Sequence, residues 1–436
     1  MNATIISRDI LLLAIPLSQP FRLGFGTLRD LPRVLLRLTV EPDAGAPFTV
    51  VGEASIDFPF SHYDAWDIIF ALHSALLVGR RIGDRETLLD EAWVERERDG
   101  VYATQAAINM ALDAAAARMT GTNVCNLYGH RPGSGCVLES VGILANEPAI
   151  RAAVGRILAV GRTPKFKCGT DMEYTSTVLH AAAEVAHETQ GTFSTDFNGS
   201  LGPEEWEGVI AWARDIPWIE TWAFSEQPIG ERFGAEGIVY AHRIARNAFG
   251  LHVVADESFL NESDARVLAR SGVWLNMKIQ KLGGIRRSLE LERLAVEATV
   301  DQPVRSLVGG TFPTAIGRCY DQHAASVLRT VSLPCDGWQP ASDWFTGARH
   351  LIHGAFQTAE DGRSVAFAGE GLGAEPDWEK IVALRVPDPE DEYGMIRTTG
   401  SGRHLTIERG GEGYPEMYER LTGRSPWWNI VQRSAS

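Results

Sequence analysis

Five charged residues recur at regular intervals in the middle of the chain. Lys167, Asp196, Glu226 and Asp256 follow one another every 29 or 30 residues, and Lys278 comes 22 residues later. The last four each follow a short apolar run. One strand, one helix and their two loops take about 20 to 35 residues, so this spacing places a charge at the C-terminal end of successive parallel strands. The pattern therefore predicts a βα barrel.

The C-terminal ends of barrel strands converge on one mouth, where these charges would meet. Three carboxylates that lie together repel one another and stay ionised only beside cations. A ligand set made only of oxygen atoms suits Mg2+, with Mn2+ as the alternative ion. Lys165 and Lys167 stand two residues apart and would share one strand. The sequence thus predicts a metal site made by Asp196, Glu226 and Asp256 and flanked by amines.

The chain is long enough, at 436 residues, to bury a large core and to divide into two domains. We expect an α+β domain over residues 1–130 and a barrel domain over residues 131–355. The rest, residues 356–436, is expected to be a C-terminal segment that ends in a polar tail.

Local signals predict individual elements within this division. Hairpin strands are predicted at residues 34–40 and 48–51, and a helix at residues 106–119. Proline near the start and glycine past the end support barrel helices at residues 173–189, 203–213, 236–247 and 285–299. Eight barrel strands are expected, the first at residues 137–143 and the last two at residues 304–308 and 331–335.

Composition and motif content exclude several classes of partner and of catalytic site. A net charge of −15 argues against nucleic acid or an anionic membrane as the main partner. The five cysteines form no CxxC pair, which is typical of a protein in the reducing cytoplasm. The apolar run at residues 10–16 is too short to span a bilayer and is predicted to be a strand. HExxH, GxSxG and P-loop motifs are absent from the sequence.

Two apolar segments of the first domain, residues 20–27 and 56–60, contain glycine or proline and are expected to be loops. They either pack into the core or close over a ligand. The candidate substrate contacts in them are Phe21, Phe25, Thr27, Ile56 and Phe58. Their aromatic side chains suggest a substrate with an apolar or flat group.

The charged set resembles the enolase superfamily, in its muconate-lactonizing subgroup. That subgroup carries Lys-x-Lys on the second barrel strand, acidic ligands on the next three strands and a lysine on the sixth. The matching residues are Lys165, Lys167, Asp196, Glu226, Asp256 and Lys278. Residues 51–54 resemble a segment of the family's capping domain, and residues 371–373 resemble its late glycines. The resemblance implies a modified (β/α)7β barrel whose α+β capping domain is completed by the C-terminal segment.

The resemblance also implies a chemistry, the Mg2+-dependent removal of the proton α to a carboxylate. Lys167 and Lys278 would face opposite sides of the α-carbon, one as base and the other as acid. The like charge of Lys165 would favour the neutral form that Lys167 needs to act as a base. Asn198 and Glu257 stand near the acidic ligands in the sequence and are expected to orient them. A homo-oligomer is implied as well.

The substrate class follows from the late barrel segments. Residues 309–318 resemble the seventh-strand region of N-acylamino-acid racemases and o-succinylbenzoate synthases, with Pro313 where these relatives carry glutamate. Dipeptide epimerases grip an ammonium group with Asp-x-Asp on the eighth strand, of which only Asp336 is present. We therefore expect a racemase or epimerase of an N-substituted amino acid or related carboxylate, with Asp336 as a substrate contact. The alternatives are a cycloisomerase or syn-dehydratase, a metal-dependent lyase or aldolase, and a non-catalytic scaffold.

Overall fold

The computed structural model describes residues 2–23, 26–55, 63, 65–99, 101–300, 302–385 and 407–408. Three of the candidate substrate contacts, Phe25, Ile56 and Phe58, lie outside the described residues. Among the described helices, none is long and apolar enough to cross a membrane.

The chain begins with an antiparallel sheet. Its first three strands are β1 (Ala3–Leu23), β2 (Gly26–Pro42) and β3 (Phe48–Ser55), with β2 in the middle. This confirms the predicted strands at residues 10–16, 34–40 and 48–51. The expectation of a loop at residues 20–27 is wrong in its described part, because Phe21 pairs with Leu28 and Arg22 pairs with Thr27. Cross-strand pairing continues almost to the hairpin tip and leaves the Phe21 side chain buried.

Four helices follow this sheet. They are α1 (Ala65–Ser74), α2 (Arg85–Asp99), α3 (Tyr102–Met119) and α4 (Val124–Leu127). Helix α3 is buried on nearly every side and is rich in alanine. Its backbone approaches β3 so closely that a Cβ on Gly52 would meet the carbonyl oxygen of Ala107. Small side chains therefore let α3 pack tightly against the sheet.

The barrel is a curled parallel sheet of seven strands in sequence order. The strands are β5 (Leu138–Val141), β6 (Thr163–Lys167), β7 (Phe193–Asp196), β8 (Trp222–Glu226), β9 (His252–Ala255), β10 (Trp274–Asn276) and β11 (Ser306–Leu307). An eighth strand predicted at residues 331–335 is present only as isolated parallel bridges. Val331 bridges to Ser306 in β11, and Cys335 bridges to Val137 just before β5. The segment thus joins the two edges of the sheet.

Helices connect the strands and cover the outside of the barrel. They are α5 (Glu147–Ala159), α6 (Met172–Glu188), α7 (Pro203–Ala213), α8 (Gly234–Phe249), α9 (Glu262–Arg270), α10 (Ile279–Leu282), α11 (Ile285–Ala298) and α12 (Ala315–Val327). The four predicted barrel helices are confirmed to within two residues at each end. Pro203 opens α7, and Gly250 ends α8 in the left-handed conformation that glycine tolerates best.

The described part of the C-terminal segment contacts both domains. A small antiparallel sheet combines β4 (Ser134–Gly135), β12 (Gln357–Thr358) and β13 (Ser364–Val365), and α13 (Trp378–Ala383) follows it. Arg385 bridges to Leu13 in β1, and β14 (Ile407–Glu408) pairs with β2. The described part of the segment therefore contacts the N-terminal sheet.

Candidate active site

The predicted charged residues come together at the C-terminal ends of neighbouring barrel strands. Lys165 and Lys167 lie on β6, Asp196 and Glu226 end β7 and β8, Asp256 follows β9, and Lys278 follows β10. Each of them is at most 9% exposed. The register brings them level, because Lys167 pairs with Asp196 and Asp196 pairs with Glu226 across the sheet. The regular spacing in the sequence thus becomes one row of charges.

Lys165 forms the centre of the buried charge network. Its Nζ lies 2.7 Å from Oε2 of Glu226 and 2.7 Å from Oδ2 of Asp336. Burial alone would lower the pKa of Lys165, but the two carboxylates outweigh it and raise the pKa well above its usual value. Ser140 also donates to Asp336, at 2.6 Å. Asp336, predicted to contact substrate, therefore has its carboxylate engaged by protein groups.

Lys167 contacts one of the predicted metal ligands. Its Nζ lies 2.5 Å from Oδ2 of Asp196 and 2.9 Å from Oδ1 of Asn198. Asn198 adopts a left-handed φ of 46°, and its backbone N–H donates to Oδ1 of Asp196 at 2.9 Å. Its side-chain amide also lies 3.3 Å from Oε1 of Glu257. Asn198 therefore holds both Lys167 and Asp196 in place, and Glu257 supports Asn198.

Two lysines bind Asp256. Lys278 Nζ lies 2.6 Å from Oδ2, and Lys281 Nζ lies 2.7 Å from Oδ1. Burial would raise the pKa of Asp256, but these two ammonium groups hold it well below its ordinary value. The two ammonium groups therefore favour the ionised form of Asp256.

Sequence reasoning assigned no role to Lys281, although a signal was present. The chain has only five lysines among its 41 basic residues, and they are Lys165, Lys167, Lys278, Lys281 and Lys380. Arginine serves almost everywhere else on the protein. Lysine offers a compact ammonium whose proton can be removed, whereas arginine stays charged. Four of the five lysines lie in this site, so lysine usage alone points to it.

Glu226 lies between the two lysine pairs. Asn276 donates to its Oε1 at 2.8 Å, and Lys165 donates to its Oε2. Burial, with further contributions from Asp196 and Asp256, raises the pKa of Glu226 to about 8 despite the opposing effect of Lys165. Another positive charge placed among these carboxylates would relieve their repulsion.

These carboxylates fit a hard divalent cation by their chemistry. Asp196, Glu226 and Asp256 supply only oxygen atoms and line one cavity of about 40 Å3, together with Lys167 and Lys278. That volume has room for an ion and one or two waters. Over the described ranges, no three acidic, histidine or cysteine side chains are arranged closely enough to hold a metal as they stand. The lysine ammonium groups bind the carboxylate oxygens instead. The metal site therefore stays a prediction.

An aromatic wall, formed by Phe21, Phe312 and Trp344, stands beside the charged cavity. The ring centroids lie 4.7 to 5.0 Å apart, and all three pairs meet edge to face. Phe312 and Trp344 line the cavity, and Phe21 supports them from the β1–β2 hairpin. Phe21, predicted to contact substrate, thus packs behind two residues of the cavity lining, and its contact with substrate stays a prediction. Trp344 was missed because nothing in its local sequence distinguishes it from a core residue.

The fold and the site together indicate the class of protein. The protein is an α/β barrel with an N-terminal capping sheet, and its lysines and carboxylates meet at the C-terminal ends of the barrel strands. The family model of enolase C-terminal domain-like proteins matches residues 149–380. The chain belongs to that family.

Named relatives agree with this assignment. The L-Ala-D/L-Glu epimerase of Bacillus subtilis (strain 168) is 24% identical over 328 residues, which cover 73% of this chain and 84% of the relative. A muconate lactonizing enzyme from Pseudomonas fluorescens, complexed with muconolactone, superposes with a TM-score of 0.74 at 21% identity, covering 88% of this chain and 99% of its own. A dipeptide epimerase from Enterococcus faecalis V583, complexed with Mg and L-Leu-L-Tyr, gives 0.72 at 18% identity, covering 85% and 99%. These structural likenesses show the same fold.

Proposed function

We propose that this protein is an isomerase that removes and returns the proton α to the carboxylate of a small substrate. The observation that carries the proposal is the placement of Lys167 and Lys278. They lie at the C-terminal ends of the second and sixth barrel strands, with Asp196, Glu226 and Asp256 at the ends of the three strands between them. A substrate carbon seated above those carboxylates would have one amine on each side, as a two-base proton exchange requires. The epimerase from Bacillus subtilis supports this chemistry as a relative.

Asp196, Glu226 and Asp256 would hold a divalent cation, Mg2+ or Mn2+. When bound, the cation supplies positive charge that stabilises the negative charge developing on the substrate carboxylate. Mg appears in the dipeptide epimerase of Enterococcus faecalis, which shares this fold. In this chain Lys278 donates its proton toward Asp256 and Lys167 toward Asp196, so each lysine has a carboxylate that orients it.

Lys165 has a different role in the proposal. Its ammonium stays charged because Glu226 and Asp336 bind it on two sides. Lys165 Nζ also lies 3.8 Å from Oδ2 of Asp196, the oxygen that Lys167 binds. The two amines therefore share one carboxylate oxygen. Lys165 is therefore placed as a permanent cation beside Lys167 and not as a second base.

The substrate that we favour is an N-substituted amino acid. A free α-ammonium group needs a carboxylate partner, and Asp336 is the residue that the sequence offered for it. Its oxygens bind Lys165 and Ser140 in this structure. An acylated nitrogen carries no charge and does not need that partner. A racemase or epimerase of N-acyl amino acids therefore fits the site better than an enzyme for free amino acids.

Proton exchange in D2O tests the proposal. The full chain with Mg2+ is incubated with N-acetyl and N-succinyl amino acids, dipeptides and hydroxy acids, and loss of the α-proton signal is followed by NMR. Exchange is expected with both enantiomers of an N-acyl compound, and Lys167→Ala and Lys278→Ala should each abolish it for the one enantiomer whose α-proton faces the missing lysine. Lys380→Ala is the matched control, because that lysine lies away from the site and pairs with Asp377. Exchange of both enantiomers at the parent rate in either site variant would overturn the assignment.

A cycloisomerase or dehydratase using the same lysines is the second candidate, because a muconate lactonizing enzyme shares the fold. A cycloisomerase would change the connectivity of its substrate, and a dehydratase would remove water from it. Racemisation leaves connectivity unchanged, so NMR of the same reaction mixtures separates the two. New carbon resonances, in place of simple deuterium incorporation, would favour the second candidate.

A further inference from the structure

Arg33 is a buried cation that reaches from the N-terminal sheet to a loop of the barrel. It lies on β2 and is 1% exposed. Its guanidinium donates to the carbonyl oxygen of Phe312 from Nη2 at 2.7 Å and from Nε at 3.2 Å. It also donates to the carbonyl oxygen of Thr311. These carbonyls belong to the loop between β11 and α12, which forms part of the cavity lining.

Glu53, on the neighbouring strand β3, holds the far end of the same loop. One carboxylate oxygen accepts from the backbone N–H of Thr314 at 2.9 Å, and the other accepts from that of Gly317 at 2.9 Å. These amides belong to the first turn of α12, where a carboxylate is favoured by the helix dipole. Glu53 Oε1 also lies 3.7 Å from Nε of Arg33, which balances its buried charge. Two strands of the sheet therefore grip residues 311–317.

Phe312 stands inside this grip in a conformation that an aromatic residue rarely adopts. Its φ is 52°, in the left-handed region. Such a conformation is strained for a residue with a side chain and persists only where the surroundings hold it. Arg33 supplies two hydrogen bonds to the Phe312 carbonyl, and the rings of Phe21 and Trp344 pack against its side chain. The backbone strain is thus located at a residue that lines the cavity.

We propose that Arg33 is a positioning residue that sets substrate specificity by fixing Phe312. This proposal rests on the proposed function in one respect, namely that the cavity binds the α-carbon of a carboxylate substrate. Arg33 acts on the loop carbonyls and does not touch the cavity itself. With the loop held, the aromatic wall presents a rigid apolar surface beside the lysines and carboxylates. The substrate group that it selects is a flat, apolar substituent, such as an aromatic side chain or acyl group.

Arg33→Lys tests the proposal, because lysine keeps the charge beside Glu53 but cannot donate to two carbonyls in the fixed fork of a guanidinium. The probes are N-succinyl-phenylalanine and N-succinyl-alanine, assayed by deuterium exchange. We expect kcat/KM for the phenylalanine compound to fall at least 10-fold through KM, while the alanine compound changes less than 3-fold. Arg37→Lys is the control on the same strand, where Arg37 is part-exposed and pairs with Asp9. Equal losses for both probes would overturn the specificity role.

A double variant separates action through Phe312 from a general effect on folding. Phe312→Gly removes the ring and also removes the cost of a positive φ. If Arg33 acts through Phe312, Arg33→Lys should change the probe ratio less than 2-fold in the Phe312→Gly background. An unchanged 10-fold effect in that background would contradict the proposal.

Backbone hydrogen exchange gives a readout that does not depend on substrate. The amides at 309–312 are expected to exchange at least 10-fold faster in Arg33→Lys than in the parent protein, with no change in Arg37→Lys. Faster exchange in a protein without any proton-transfer activity would support the positioning role and count only against the proposed function. Unchanged loop exchange would refute the positioning role whatever the activity.

Discussion

Lys165 Nζ and Asp336 Oδ2 lie 2.7 Å apart although 171 residues separate them in the chain. Lys165 belongs to the second barrel strand, and Asp336 follows the segment that joins the last strand back to the first. The ion pair therefore forms only when the barrel is closed. Because Glu226 binds the same ammonium group, two buried carboxylates share one lysine.

Lys165→Met is predicted to destabilise the protein strongly. The change leaves Glu226 and Asp336 buried without their cation, and loss of one partner of a buried pair costs about 3 to 5 kcal/mol. The free energy of unfolding, measured with urea in the absence of Mg2+, should fall by that amount. Lys380→Met removes only a part-exposed pair with Asp377 and should cost far less. Similar losses in the two variants would contradict the role of Lys165.

Mg2+ is predicted to stabilise the protein through the three carboxylates. A ligand at 100 times its Kd adds about 2.7 kcal/mol to the free energy of unfolding when it binds only the folded state. The melting temperature should therefore rise with Mg2+ in the parent protein and stay constant in Asp256→Asn. Asp215→Asn, at an exposed position, is the control and should respond like the parent. A full response in Asp256→Asn would show that the ion binds elsewhere.

Two glycine-to-alanine substitutions are predicted to change the free energy of unfolding in opposite directions. A Cβ on Gly52 would lie 1.9 Å from the carbonyl oxygen of Ala107, so Gly52→Ala must push α3 away from β3. It should cost about 3 kcal/mol. Gly208 lies in the exposed middle of α7 with open space around it, and Gly208→Ala should stabilise by about 0.5 to 1 kcal/mol. Urea unfolding of both variants measures the difference, and the same sign in both would contradict this packing.

Asp113 is predicted to make stability depend on pH. Burial raises its pKa to about 6 against the opposing effect of Arg85 and the hydroxyls of Tyr128 and Tyr320. A carboxyl group whose pKa is higher in the folded state stabilises below its unfolded pKa of about 4, and this contribution is lost as the pH rises through 6. The loss is about 3 kcal/mol.

Unfolding free energies measured from pH 4 to 7 in the parent protein and in Asp113→Asn test this. As the pH rises, the free energy of unfolding of the parent should fall relative to that of Asp113→Asn. The difference should level off above pH 7. A difference that is independent of pH would show that Asp113 keeps its ordinary pKa.

Part of the site could be predicted because its signals are local. The ammonium and carboxylate groups at the ends of the strands repeat with the length of a βα unit, so Lys167, Asp196 and Glu226 could be located by counting residues. The helix starting at Pro203 could also be predicted from a local signal, because proline fits the first turn of a helix. The hairpin tip was misjudged, since glycine and proline near residues 20–27 resemble loop signals while strand pairing dominates there.

By itself the sequence determined the barrel, the capping sheet and the row of lysines and carboxylates, because periodicity and chain order fix which residues end neighbouring strands. Only the tertiary structure decided which charges pair. Lys281 reaches Asp256, Asp336 is taken by Lys165, and Arg33 crosses from the sheet to the carbonyl of Phe312. These contacts join residues 25 to 279 positions apart. Their partners are selected by which side chains are brought within 3 Å in a buried space, and no local pattern carries that information.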